Sequence, residues 1–279
     1  MSLAADTSVV DLSVVDLGGS ELPETCPALL PGRPSLAMCL TEPPRGLADI
    51  ASLVLAAPWL LRSPRGDGHP VLVLPGLLAS DTSTMAMRAY LRFLGYRVHG
   101  WNLGINTGPT PQVVDGLPGV LAGLADRYDN PVSVIGWSLG GIYARQLARD
   151  LPHAVRQVIT LGSPFGLSNL QQTRVGALYS RMSGNHAILP PVNGIEWELG
   201  HPIPVPATAL YSKRDGVVPW QVCRDFPSDR SESVAVHGSH MGLTHNPSAL
   251  WAVADRLAQA ADTWNPFVVP RHLRRLYPR

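Results

Sequence analysis

The feature that most constrains the fold of this chain lies between residues 70 and 161, where short, almost wholly apolar runs alternate with longer amphipathic segments. Val71-Leu72-Val73-Leu74 is stopped by Pro75-Gly76, and a helix is expected from about Thr84 to Leu94, closed by Gly95. Arg97 to Trp101 then reads as a strand, Gln112 to Tyr128 as a helix and Val132 to Ile135 as a strand. Gly140 to Arg149 follows as a helix and Val158 to Leu161 as a strand. A run that is apolar at every position suits a strand covered on both faces, and strands joined through a helix run parallel. The series predicts an α/β fold with a mostly parallel central sheet flanked by helices.

The flanking regions break this rhythm. Residues 1 to 45, rich in Pro, Gly and Ser, are expected to form an extended N-terminal arm, with the main domain spanning 46 to 265. The most apolar stretch, Ile50 to Leu61, is shorter than the ~20 residues that cross a bilayer and contains Pro58. With no basic face of its own, it is expected to lie on the core as a helix or cap. An insertion from about 163 to 203 has no clean strand, a short helix near Val175 to Arg181, and several prolines. Strand character returns at Ala207 to Tyr211 and Ser233 to Val236, and a helix from Ser248 to Ala260 closes the domain. The tail, 266 to 279, is basic and is expected either to pack along the domain or to stay mobile, without a part in catalysis.

Composition narrows the function. A formal charge of +1 gives no field to steer a polyanion, so nucleic acid is not an expected partner. Cys26, Cys39 and Cys223 show no CxxC spacing and indicate neither a disulfide framework nor a metal site, although Cys26 and Cys39 remain able to pair. The N-terminus has neither a basic start nor an apolar run, so it does not read as a secretory signal, and a cytoplasmic location is the expectation.

The chemistry is concentrated at Gly136-Trp137-Ser138-Leu139-Gly140. A serine hydroxyl is a poor nucleophile unless it is held on an exposed tight turn, beside an imidazole and beneath backbone N–H groups that accept negative charge. Here the glycines frame a serine between an apolar strand and an apolar-periodic helix, as such a turn requires. An acid and a histidine should follow in that order, each just past a later strand. Asp215 follows the strand ending near Tyr211, and His240, between Gly238 and Gly242, follows the strand ending at Val236. His237 competes with His240 as the base, whereas His245 reads as part of the turn opening the last helix. Asp225 and Asp229 compete with Asp215 but are expected to be solvated loop carboxylates.

From Pro70 to Ala260 these segments together resemble the α/β-hydrolase family, and within it the lipases and esterases. The resemblance implies Ser138 as nucleophile, Asp215 as the acid in a D-x-V-[VI]-P type of loop, and His240 as the base in a G-x-H-x-G type of loop. Pro75-Gly76-Leu77-Leu78 is similar to the family's oxyanion loop, which implies oxyanion N–H groups on Leu77 and Leu139. Pro75 stands where many members carry histidine, and the thin strand content ahead of Val71 implies that one or two antiparallel edge strands of larger members are missing. The implied activity is hydrolysis of a small-molecule or lipid ester without metal or organic cofactor. Acyl transfer, thioester or amide hydrolysis, and a catalytically silent binding module remain as rivals. The insertion sits where the family carries a cap or lid. Its apolar residues (Phe165, Leu167, Leu170, Val175, Leu178, Tyr179, Met182, Ile188 and Leu189) either line an acyl pocket or only pack the insertion down.

Overall fold

The computed structural model describes residues 31–167, 170–183, 202–226, 228–261 and 263–278. The expected arm up to residue 30, Cys26 and the middle of the insertion, with Ile188 and Leu189, lie outside the described residues. Six strands form one sheet: β1 (Pro70–Leu74), β2 (Arg97–Gly100), β3 (Val132–Trp137), β4 (Val155–Leu161), β5 (Ala207–Tyr211) and β6 (Ser231–Ala235). They lie in the order β2-β1-β3-β4-β5-β6, and every neighbouring pair is parallel. Seven α-helices accompany them among the described residues: α1 (Leu36–Leu40), α2 (Glu42–Leu60), α3 (Met85–Phe93), α4 (Pro111–Tyr128), α5 (Leu139–Asp150), α6 (Gly176–Ser183) and α7 (Pro247–Leu257).

Both faces of the sheet are covered, which explains the continuous apolar runs. Leu72, Leu74, Val134 and Val158 point to one side, where α4 and α5 pack with Leu117, Leu121, Ile142 and Leu147. Val71, Val73, Ile135 and Ile159 point to the other, against Met87 and Leu91 of α3 and Leu250 and Val253 of α7. The chain leaves β1 in one direction and returns on its other side to form β3, so the sheet order reverses between these strands. In open α/β sheets, the crevice beyond the carboxyl ends of the strands at such a reversal is where ligands bind.

The N-terminal region departs from expectation. Residues 36–40 and the first turn of α2, expected in the extended arm, are helical: Ser35 caps α1 by accepting the Met38 N–H, and Pro43 and Pro44 occupy first-turn positions of α2 where proline is tolerated. The stretch from Ile50 is helical as far as Leu60 and lies on the core as expected, but along a narrow line: Ala56 and Leu60 join the core cluster and Leu53 packs against it. Only Ala56 and Leu60 within it are buried, while Leu47, Ile50, Val54 and Leu55 face outward. Over its first turns the inward side of α2 instead carries Glu42, which is 2% exposed, and Asp49. Polar groups of loops near the carboxyl end of the sheet take that inner face. No helix among the described residues is long and apolar enough to cross a membrane.

The C-terminal tail packs rather than hangs free. Leu273 and Tyr277 are buried, and the Tyr277 hydroxyl donates to the Ser248 carbonyl at the start of α7 over 2.7 Å.

Candidate active site

Ser138 sits between β3 and α5 with φ 53° and ψ −120°, a left-handed conformation that a non-glycine residue adopts only when its surroundings impose it. The surroundings do so through close backbone packing. A Cβ on Gly136 would stand 2.3 Å from the Gly140 carbonyl oxygen, and one on Gly140 would stand 2.4 Å from the Leu74 oxygen. Only glycine at both positions lets α5 press against β1 and β3, and that pressure fixes the serine. The Ser138 N–H donates to the Leu161 carbonyl at 2.9 Å, which ties the turn to β4.

The structure brings Ser138, His240 and Asp215 into one hydrogen-bonded chain. His240 Nε2 lies 3.0 Å from Ser138 Oγ, and His240 Nδ1 lies 2.6 Å from Asp215 Oδ2. The other oxygen, Asp215 Oδ1, accepts the N–H groups of Val217 and Val218, each at 2.8 Å, so the carboxylate is held at both ends. The Trp137 indole donates to the His240 carbonyl at 3.1 Å. Burial disfavours the imidazolium of His240, but the Asp215 charge and hydrogen bond, with a further contribution from Glu42, outweigh it and raise the histidine above its ordinary value.

Leu77 and Leu139 line the same small cavity as Ser138, with a volume of about 30 Å³. Among the described residues, neither backbone N–H has a hydrogen-bond acceptor. Leu167, Leu170, Val175 and Tyr179 of the insertion complete its apolar wall, whereas Phe165 is buried against the Arg145 guanidinium and Leu178 is exposed. The loop after β1 is pinned by Asn106, a residue that sequence reasoning did not single out. Its carbonyl accepts from Leu78 at 2.7 Å, its N–H donates to Ala79 at 2.8 Å, and its side-chain amide donates to Pro75 at 2.9 Å. Asn106 lies in a loop of Gly, Asn and Pro residues, and nothing in its spacing distinguishes it from an ordinary turn residue.

The competing candidates lie elsewhere. His237 borders a separate cavity with Arg274, Arg275 and Tyr277, and the ring of His245 meets the Thr244 hydroxyl. Asp229 is exposed. Asp225 corrects its expectation: it is buried, and both oxygens accept from Arg145 of α5, at 2.6 and 3.2 Å. The planar guanidinium matches the carboxylate with two hydrogen bonds, which offsets the cost of burying it. Glu42 and Asp49 were also missed. Both reach loops near the site across nearly 200 residues of sequence, and no local motif marks them.

A parallel sheet with a strained serine at the turn after its central strand, followed by acid and histidine on later loops, defines the architecture. This is the α/β-hydrolase fold. No protein-family model matches the sequence, and a search of curated proteins finds no match. Solved structures do align with it. One is an α/β hydrolase from the metagenome of lagoon sediments at Mar Chica, Morocco, at 18% identity and TM-score 0.46, covering 66% of this chain and 87% of the other. Another belongs to a study of LipS and LipT, two metagenome-derived lipolytic enzymes, at 17% identity and TM-score 0.48, covering 65% and 89%. Lipase B of Aspergillus fumigatus aligns at 15% identity and TM-score 0.49 over 69% of this chain and 52% of its own. At these identities the likeness assigns no activity.

Proposed function

We propose that the protein is a serine hydrolase that cleaves carboxylic esters of uncharged acids, with Ser138 as nucleophile, His240 as general base and Asp215 as the group that orients the base. The observation that carries this reading is the strained Ser138 turn joined to His240 at 3.0 Å and through it to Asp215 at 2.6 Å. His240 takes the serine proton as the oxygen attacks the ester carbonyl. The N–H groups of Leu77 and Leu139 donate hydrogen bonds to the carbonyl oxygen as negative charge develops on it. Collapse of the tetrahedral intermediate expels the alcohol, which receives the proton from His240, and leaves an acyl group on Ser138. Water activated by the same histidine then releases the acid.

The apolar lining from Leu77, Leu139 and the insertion favours an uncharged acyl chain. Each methylene transferred from water is worth up to ~0.8 kcal/mol, so kcat/KM should rise about two- to fourfold per buried carbon. The enclosed cavity beside Ser138 holds only about 30 Å³, so chains of roughly four to eight carbons would run on past it along the apolar wall. A p-nitrophenyl ester series run on the wild type and on Ser138→Ala tests the whole reading. The Ala variant should lose ~10³-fold or more in kcat. A variant retaining over about a tenth of wild-type activity would remove Ser138 from the mechanism. Acetate or a charged acid as the best acyl group would overturn the substrate class.

A further inference from the structure

The His240 loop and the Asp215 loop share a partner outside the sheet. Glu42, at the first turn of α2, accepts the Gly216 N–H on Oε1 at 2.8 Å and the Met241 N–H on Oε2 at 2.9 Å. One carboxylate therefore holds the residue that follows the acid and the residue that follows the base. A second carboxylate, Asp49, holds the rest of the histidine loop. Its Oδ2 accepts from the Ser239 N–H at 3.0 Å and the Ser239 hydroxyl at 2.7 Å, and its Oδ1 accepts from the Asn246 amide at 3.0 Å. The fit is tight: a Cβ on Gly242 would stand 2.0 Å from Asp49 Oδ2.

Burying a carboxylate is costly, and starting a helix does not require it, since a neutral side chain caps a helix as well. Hydrogen bonds to an ionised acceptor are about twice as strong as neutral ones, so Glu42 fixes the two loops relative to each other more firmly than an amide would. We propose that Glu42 is a positioning residue that sets the His240–Asp215 pair from outside the sheet and supplies a second negative charge behind the base. The proposal rests on the reading of Ser138, His240 and Asp215 as the reacting site. The charged and titratable groups around the loop are Asp215, Glu42, Asp49, Arg45, His237 and His245, the last lowered by burial against the pull of Asp49, with the Cys223 thiol beside Asp215. Arg45 Nη2 donates to Glu42 Oε1 at 2.8 Å and so tempers its charge, and burial keeps Cys223 protonated. Glu42 adds to Asp215 in raising His240 against the opposing effect of burial. In the transition state the same charge stabilises the imidazolium as the proton arrives.

The test reads the serine directly. Full-length wild type, Glu42→Gln, Arg45→Met and Asp49→Asn, each checked for fold by circular dichroism, are reacted with a fluorophosphonate across pH, and the labelled serine is located by mass spectrometry. Glu42→Gln should lower the high-pH labelling rate about tenfold and move the acid limb down by about half a unit, through loss of both the tether and the charge. Arg45→Met, which unmasks Glu42, should move the limb the other way. Asp49→Asn should lower the rate with the limb in place, because Asp49 tethers the loop without acting on the imidazole. An acid limb shared by wild type and Glu42→Gln overturns the proposal, as does a high-pH rate within about twofold of wild type. If Glu42→Gln does not fold, an unmoved limb in Arg45→Met overturns it instead. Failure of the wild type to label at Ser138 would count against the hydrolase reading itself and not against Glu42.

Discussion

Two Ser–His–Asp chains stand at opposite ends of the same two strands. At the carboxyl ends of β1 and β3, Ser138 meets His240 and Asp215. At the amino ends, Ser133 Oγ lies 2.8 Å from His69 Nε2, and His69 Nδ1 meets Asp67. The residue types and the order of contact are the same, and the settings are opposite. Ser138 is strained and borders a cavity, whereas Ser133 is a fully buried strand residue opposite Val71 and Gln157, just where the β3–β4 register shifts by one residue. Burial depresses His69, and the Arg156 charge depresses it further, against the pull of Asp67, while His240 ends raised. Burial raises Asp67, but the His69 backbone and ring hydrogen bonds, with a smaller pull from Arg156 at 2.9 Å, outweigh it and bring it down to about 2. The comparison teaches that a hydrogen-bonded triad is not a nucleophile by itself. In the proposed reading the first chain accepts a proton from a serine that borders a cavity, whereas the second, with a lowered histidine and an Asp67 paired to Arg156, is a strut at the other end of the sheet.

The largest effect should separate the two serines. Where Ser138→Ala removes activity, Ser133→Ala should leave kcat/KM within about threefold, because no substrate reaches it. It should instead cost about 1–3 kcal/mol of stability, since the buried His69 Nε2 loses its partner. Urea unfolding and steady-state kinetics on the same preparations measure both. A folded Ser133→Ala protein as inactive as Ser138→Ala would break the comparison.

The two histidines should also part in a pH titration followed by NMR. His240 must be neutral to take the serine proton, and it is raised, so kcat/KM should climb with pH through an ionisation above the ordinary value of 6.5. His69 is lowered below the same 6.5, so between its folded value and 6.5 the unfolded chain binds a proton that the folded chain does not. Stability should therefore fall as pH drops below about 6.5, and the fall should be smaller in His69→Gln. An acid limb at or below 6.5 would show that Asp215 and Glu42 do not outweigh burial at His240.

What was legible in the sequence follows the range of the interactions. Ser138 is fixed by glycines two residues away and by the strand and helix on either side, so a five-residue motif carries most of its geometry. The central strands read clearly because burial on both faces leaves few polar positions, such as Ser133 and Thr160, to interrupt the apolar runs. Asp215 and His240 stood out through position past a strand and through nearby glycines, but their tethers did not. Glu42 and Asp49 act on residues nearly 200 positions away, and the sequence of α2 resembles any apolar helix. The second half of that helix packs on the core through Leu53, Ala56 and Leu60, as an apolar segment should, but its first turns, which carry Glu42 and Asp49, meet polar loops that no local pattern announces. Asp225 was likewise unreadable, because its neutralising partner, Arg145, lies 80 residues earlier on α5. Ser133, inside β3, and His69, just ahead of β1, were hidden beside apolar runs that drew all the weight.

The smallest effect concerns the third region near the histidine loop, where the basic tail covers His237. Arg274, Arg275 and Tyr277 border a cavity that includes His237, three residues from His240 in sequence yet apart from the Ser138 chain. Deleting residues 271 to 279 should therefore leave kcat/KM for a soluble ester within about threefold, as should His237→Ala within about tenfold, when both are assayed well below their melting temperatures. The deletion should still lower stability, because it removes the buried Leu273 and Tyr277 and the bond from the Tyr277 hydroxyl to the Ser248 carbonyl. Losing two such side chains from a packed surface costs several kcal/mol, on the order of 2–5 for each large apolar residue at a fully buried site. Thermal melts and kinetics on the truncated protein separate the two outcomes. A deletion that kept its stability but lost activity more than about tenfold would place the tail in the same functional unit as His240, and nearness in sequence to the base would then outweigh membership of its hydrogen-bonded chain.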